Sequence, residues 1–318
     1  LDFRFEKYGE QAQMFAVSAF YKSFKNPIEL VAFSVIAPNQ FTPRNSPSAT
    51  VIGFEFENEK LIGAKTKNGK TYFADLFISN IELKTTLKLV GEEKFRKPFY
   101  KRIQGLEPSH YAFSIYIVFK PESFKYINHN YYHFNDSKKV WQAMDYTQES
   151  WPEAYMLSMN LSHENQVWAE SLTAITYMHF DEVKAWENTH NTVAEKEERG
   201  ADYEKFKQEK TEVFLKTLER KFPAIRSCIK SIHASTPLSY RDYIGGAKGN
   251  LYGYSKDSNN PMNTFFSPKT KVENLFLTGQ SVNMHGVLGV TIGAVVTCSE
   301  ILGREYLVDK IKSELAKN

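Results

Sequence analysis

From Thr50 onward the chain alternates apolar and polar positions in short runs. "TVIGFEFENEKLIGAKTKNGKTYFADLFISN" contains three of them, 51–56, 61–67 and 71–79, and predicts three β-strands. Asn58-Glu59 and Asn68-Gly69 supply the turns; an Asn-Gly step suits a tight hairpin. The third run closes on the unbroken apolar "LFIS", as expected of a strand entering a buried sheet. "YAFSIYIVF" (111–119), "AYMLSMNL" (154–161) and "ESLTAITYMHF" (170–180) predict further strands from their aromatic and β-branched content. Between Glu182 and Phe222 the period becomes helical. Tyr203, Phe206, Val213, Phe214 and Leu218 mark one face, Lys and Glu fill the other, and Pro223 ends the helix. Residues 231–254 predict a short strand and then a loop holding Gly245, Gly246, Gly249 and Gly253. Before Thr50, "IELVAFSVIAP" is too short to span a bilayer and "APNQFTPRNSPS" reads as a loop.

The longest uncharged stretch runs from Asn274 to Ser299. Gly279, Gln280, Asn283, His285 and Gly286 interrupt it, so no piece approaches the roughly 20 apolar residues of a membrane span. It parses as a buried strand "NLFLT", a turn "GQSVNMHGVLG" and a buried helix "VTIGAVVTCSEILG" stopped at Gly303. Gly289, Gly293 and Thr297, four apart, let a backbone or flat ligand approach the helix. Strand, glycine turn and helix N-terminus together make an anion or dipole site, because first-turn amides lack partners and the macrodipole is positive there. An ordinary strand-to-helix connection in an α/β core is the plainer alternative.

Length and charge narrow the classes. A chain of 318 residues suits two domains. With 40 Lys and Arg against 37 Asp and Glu, the +3 balance argues against a polyanionic partner, and we expect no nucleic-acid groove of interleaved cations and aromatics. Cys228 and Cys298 form no disulfide framework or zinc pattern, which fits a reducing compartment. The N-terminus "LDFRFEKYGE" is no signal peptide, and its Leu1 in place of Met suggests a fragment. The 24 Phe and 18 Tyr fill a large core or wall an apolar pocket. His129 and His133, four apart, would pair on a metal only if helical, and no third ligand is evident. No metal site is expected. His285 either lines the substrate side of a cofactor or bonds a backbone carbonyl. Tyr240, Tyr243, Tyr252 and Tyr254 are candidates for a substrate pocket, or for simple packing.

"ENLFLTGQSVNMHGVLGVTIGAVVTCSEILG" resembles the C-terminal flavin-binding segment of the phytoene desaturase and retinol saturase group of FAD-dependent oxidoreductases. "VIGFEFENEKLIGAKTKNGKTYFADLFISN" is similar to that group's β-meander. "FPAIRSCIKSIHASTPLSYRDYIGGAKGNLYGY" is similar to the segment preceding its C-terminal motif. The resemblance covers roughly residues 50–310. It implies that Gly279 and Gln280 pack near the diphosphate and ribityl chain of FAD, and that Gly286, Val287, Gly289, Val290 and Thr291 face the pyrimidine side of the flavin ring. Charge developing at that edge on reduction is what helix amides stabilise. Related flavoproteins often carry an acid where this chain has Gln280, so a carboxylate–ribityl bond is not assumed. The group's G-x-G-x-x-G is missing: none of the 16 glycines has another two residues on.

The expectation is a mixed α/β protein. Residues 51–90 and 260–318 form part of a Rossmann-like FAD-binding domain, 91–259 a sheet-based substrate domain, and 1–50 are unassigned. The function is transfer of hydride between FAD and a C–C bond of an apolar polyene, as a carotenoid- or retinoid-type desaturase or saturase. The chain is read as truncated, inactive and colourless alone. A flavin-free lipid- or isoprenoid-binding module and an amine-oxidase-like flavoprotein stay open. The expected partner is an apolar small molecule, with no nucleic acid. Peripheral membrane contact and self-association are compatible with a cytoplasmic location.

Overall fold

The computed structural model describes residues 28–32, 41–45, 51–57, 59–162, 167–192 and 198–317. In chain order its elements are β1 (Ile28–Ala32), β2 (Phe41–Asn45), β3 (Val51–Glu57), β4 (Lys60–Thr66), β5 (Thr71–Phe73), β6 (Phe77–Ser79), α1 (Leu83–Val90) and α2 (Lys97–Gln104). There follow β7 (Ala112–Phe119), β8 (Tyr131–Phe134), β9 (Ala154–Leu161), β10 (Ala169–Tyr177), α3 (Ala201–Lys221), α4 (Ile225–Cys228), β11 (Ile229–Ser235) and α5 (Pro237–Ile244). The chain closes with β12 (Leu275–Leu277), α6 (Gly286–Leu302) and α7 (Arg304–Leu315). The expected loop before Thr50 is in part strand, since β1 and β2 pair antiparallel; the rest of that segment lies outside the described residues.

Two compact units emerge, residues 1–107 with 252–318, and residues 108–251. The boundaries differ from the expected 91 and 259. Ile103 and Leu106 on one side, and Tyr254 on the other, share the core of Leu83, Leu87 and Leu277, so both flanks belong to the first unit.

In the first unit β3, β4 and β5 form an antiparallel meander. Gly69, at φ +85°, turns β4 into β5 as the Asn-Gly step predicts; Asn58 of the other turn lies outside the described residues. The single run expected over 71–79 is two strands. Ala74 donates the last meander bond to Ile62 O, whereas Phe77 donates to Asn274 O and begins a parallel pairing of β6 with β12. Asn274 stitches the two sheets: its Nδ2 donates to Leu61 O at 2.7 Å and to Asp75 O at 2.9 Å, and its Oδ1 accepts from Leu61 N at 3.0 Å.

The second unit is a five-stranded antiparallel sheet in the order β11-β7-β10-β9-β8. Period-2 alternation sends Ile115 and Ile117 of β7 and Leu172 and Ala174 of β10 to one face, where they pack with Phe214 and Leu218 of α3. Tyr116, Thr173 and Ile175 occupy the other face, mixed in chemistry and mostly half-buried. This apolar face is covered by α3.

Two elements depart from expectation. The helix predicted from Glu182 begins at Ala201, after a 3-10 stretch over Phe180–Trp186. Residues between are claimed by polar contacts instead: Arg241 Nη1 donates to Glu187 O, another of its nitrogens donates to Thr189 O, and Asn191 N donates to Asp242 Oδ2 at 2.8 Å. Conversely, the loop predicted after β11 contains α5. Thr236 and Ser239 form a capping box and Pro237 fills the first turn. A Cβ on Gly249 would lie 1.7 Å from Pro237 O, so only glycine permits this return over α5.

Candidate functional site

Strands β6 and β12 end side by side, with Thr278 N donating to Ser79 O at 2.9 Å. Ligands of open parallel sheets bind outside such carboxyl ends. Gly279 follows at φ +95°, and a Cβ there would sit 2.1 Å from Asn80 Oδ1, the residue that follows β6. Val282 N donates to Gly279 O at 3.1 Å, tightening the turn. Asn283 Oδ1 accepts from Phe266 N at 2.9 Å, anchoring the buried Ser281–Val282–Asn283 step beneath half-buried Gln280.

Helix α6 begins at Gly286, four residues before the expected Val290. His285 is its N-cap residue but makes no side-chain cap bond, and no acid lies in the first turn. The helix therefore presents uncapped amides and the positive end of its dipole without a carboxylate to neutralise them. Gly286 (φ +76°) has open space where a Cβ would stand, and Val287 and Leu288 are 75% and 74% exposed.

Contrary to the buried helix expected from the sequence, most of α6 is not buried. Only Gly289 and Thr297 are. A Cβ on Gly289 would meet Met284 Cβ at 2.7 Å and its carbonyl carbon at 2.9 Å, while Thr297 Oγ1 donates to Leu277 O at 3.1 Å. Gly293 between them has nothing within 4 Å. The small-residue spacing thus seats the helix at two points. Val290 and Thr291 are half-buried, and Thr291 Oγ1 turns back to Val287 O at 2.8 Å.

The His285 ring packs at a tilt against Tyr252, with ring centroids 4.8 Å apart. Among the described residues this ring contact is the partner of the His285 side chain. Gly253, at φ +73°, lies so close to Ser281 Oγ (3.0 Å from a built Cβ) that the Tyr252–Tyr254 strip is held against the turn. Tyr254 is buried and donates to Glu82, which also caps α1 by accepting from Thr85 N at 2.8 Å. Tyr254 is thus a core residue. In the second unit Tyr240 shares a hydrogen bond of 2.6 Å with Ser114 Oγ, on the sheet face away from α3, and half-buried Tyr243 lies on the same helix, α5. The four tyrosines split two and two between the units.

Cys298 on α6 is half-buried, and burial pushes its thiol up, away from nucleophilic use. His129 lies in a bend and His133 on β8, stacked on Tyr155 at 4.7 Å; they are not a helical pair. Missed in the sequence was Asn80, which directly follows "LFIS" and faces Gly279 across the strand ends.

The residues fit the ring end of a flavin. Two strand ends meet at a left-handed glycine, and seven residues after it comes a bare, acid-free helix terminus carrying the exposed apolar Val287 and Leu288.

No protein-family model matches the chain. Among curated proteins it is 30% identical over 132 residues to human all-trans-retinol 13,14-reductase, covering 39% of this chain and 22% of that protein. The zebrafish (Danio rerio) protein of the same name is 26% identical over 154 residues, 45% and 24% of the two chains. The Rattus norvegicus protein is 24% identical over 268 residues, 78% and 43%. The chain thus spans less than half the length of these relatives. Among solved structures, an oxidoreductase from Methanosarcina mazei superposes at TM-score 0.44 and 15% identity over 77% of this chain and 47% of its own. A redesigned putrescine oxidase gives 0.48 and 12% over 84% and 49%. The curated relatives uphold the likeness to the retinol saturase group.

Proposed function

We propose that this chain, a relative of the all-trans-retinol 13,14-reductases, forms the ring-side part of the flavin site of an FAD-dependent oxidoreductase acting on a C–C bond of an apolar polyene. One observation carries the reading: a parallel strand pair is followed by a left-handed glycine turn and then an uncapped, acid-free helix N-terminus, in a segment whose sequence resembles the flavin-binding segment of the retinol saturase group. FAD supplies two-electron redox chemistry when bound.

The protein's own residues have simpler tasks. Gly279 lets the backbone turn sharply beside Asn80, and Gln280 offers an amide to the ribityl chain. The amides of Gly286, Val287 and Leu288 stabilise negative charge at the pyrimidine edge of the ring. Val287 and Leu288 exclude water on that side. Gly289 holds the helix start against Met284. Tyr252 orients His285 by ring contact. In the second unit, the sheet face carrying Tyr116 and Ile175, on which Tyr240 of α5 bonds Ser114, is a candidate surface for an apolar ligand.

The natural full-length protein should show a flavin absorbance spectrum, bleach anaerobically with a reductant and reoxidise with all-trans-retinol as acceptor. Val287→Asp places a carboxylate at the first turn of α6. It should leave the melting temperature unchanged or raised, since acids suit a helix N-terminus, while weakening flavin binding roughly tenfold. Flavin affinity indifferent to this charge would remove α6 from the site. A colourless full-length protein that binds retinol saturably would favour the lipid-binding reading instead. The 318 residues alone, which lack a G-x-G-x-x-G, should retain FAD weakly.

A further inference from the structure

Residues 94–102 read Lys-Phe-Arg-Lys-Pro-Phe-Tyr-Lys-Arg, five cations interleaved with three aromatics. The near-neutral total conceals this cluster and misleads the expectation that none exists. In the first unit its residues meet the segment before β12 and enclose a cleft of about 390 Å³. Phe95 and Phe99 form an apolar floor, stacked at 6.0 Å, and Arg96, Arg102, Lys269 and Lys271 line the sides. Among the described residues no carboxylate lines it. Lys269 is paired with Glu300 at 2.6 Å, while among the described residues Arg96, Arg102 and Lys271 form no ion pair.

The walls are held in place. The Arg102 guanidinium lies over the Phe266 ring at 4.4 Å and within 3.5 Å of Phe265 O. Thr270 Oγ1 donates to Val272 O at 2.9 Å and to Leu275 O at 3.1 Å, and Leu277 N donates to Pro268 O at 2.8 Å, fastening the lysine-bearing segment to β12.

The geometry points to a binding site for a phosphate-bearing small molecule, its anionic group among Arg96, Arg102 and Lys271 and its organic part against Phe99. Guanidinium forks match phosphate oxygens, and cations that are weak singly reinforce one another in a cleft with apolar walls. The volume suits a small ligand rather than a polymer. None of the candidate flavin residues, Gly279 to Thr291, lines it, so this site stands or falls apart from the flavin reading.

The test is calorimetric titration of the full-length protein with inorganic phosphate and with phenyl phosphate, plus a sedimentation assay with phosphatidylcholine vesicles with and without phosphatidic acid. Phenyl phosphate should bind more tightly than phosphate, with affinity falling as salt rises. The double variant Arg96→Gln/Lys271→Gln should weaken both roughly tenfold or more. Lys205→Gln/Lys216→Gln on α3 should change neither. Vesicle binding that requires phosphatidic acid, is competed by phenyl phosphate and is lost in the first double variant would make a lipid headgroup the source of the same chemistry. No saturable binding, or vesicle binding that phenyl phosphate does not displace, overturns the proposal. So does equal loss in both double variants. Unchanged melting temperatures confirm that the folds are intact.

Discussion

Gly279 and Asn80 face each other across the ends of β12 and β6, so closely that a Cβ on Gly279 would lie 2.1 Å from Asn80 Oδ1. Two constraints meet at one residue, a left-handed φ of +95° and a filled space. Gly279→Ala should cost about 1–3 kcal/mol, most of it backbone strain. Asn80→Ala should recover only the steric part. Urea melts of the single and double variants separate the two, and full recovery by Asn80→Ala would show that strain contributes nothing.

Gly289 and Gly293 are one turn apart on α6 and should respond with opposite signs. Gly289→Ala drives a Cβ into Met284, including its backbone carbonyl carbon, and should cost about 1–3 kcal/mol. Gly293→Ala meets nothing within 4 Å and removes a mid-helix glycine, so it should gain about 0.5–1 kcal/mol. Paired thermal melts decide the matter; a loss at Gly293 would mean that its face of the helix is covered.

Asp242 is the buried centre of an ion cluster. Arg199 donates to it, Arg241 Nε donates at 2.7 Å, and His190 Nδ1 lies 3.3 Å away. The Arg199 side chain is only 5% exposed. Asp242→Asn leaves that guanidinium uncompensated and should cost about 3 kcal/mol or more. Adding Arg199→Met should restore part of it, and a strictly additive double mutant would deny the coupling.

Burial, with a smaller push from Tyr131, raises the Tyr155 phenol to about 12. The folded state keeps this proton where the unfolded chain, near 10, releases it. The contribution is complete below pH 10 and is lost as pH rises from 10 to 12. Tyr155→Phe should flatten the fall in stability across that window without abolishing it, because burial also raises Tyr146, whose hydroxyl donates to Glu182. Denaturant midpoints at several alkaline pH values give the slopes; identical slopes would contradict the assignment.

Local rules made much of this legible. Aromatic and β-branched content located β7, β9 and β10, and Asn68-Gly69 located its hairpin, because each signal lies within a few residues of its effect. Thr236-Pro237 is an equally local helix start, overshadowed by the four glycines that follow it. The bare face of α6 was not legible, since apolar composition states what a helix would bury and not what stands beside it. The delayed start of α3 depends on Asp242, some forty residues later in the chain, and no window of neighbouring residues contains that information. The basic cleft joins 95–102 to 267–271 and is likewise a product of tertiary contact.

Asn274 and Leu61 are bonded across 213 residues of chain, a span that includes the whole second unit. For an unfolded intervening chain the logarithmic closure entropy comes to about 5 kcal/mol, a severe demand on two short strands. The second unit removes most of it when it folds. Its first and last residues meet, with Leu251 N donating to His110 O at 2.9 Å, and just outside them Ser255 N donates to Glu107 O at 2.9 Å. A folded insertion with joined ends behaves kinetically as a short loop, so assembly has a direction. Pulse-labelling hydrogen exchange should therefore protect the sheet of the second unit before the parallel pair of β6 and β12.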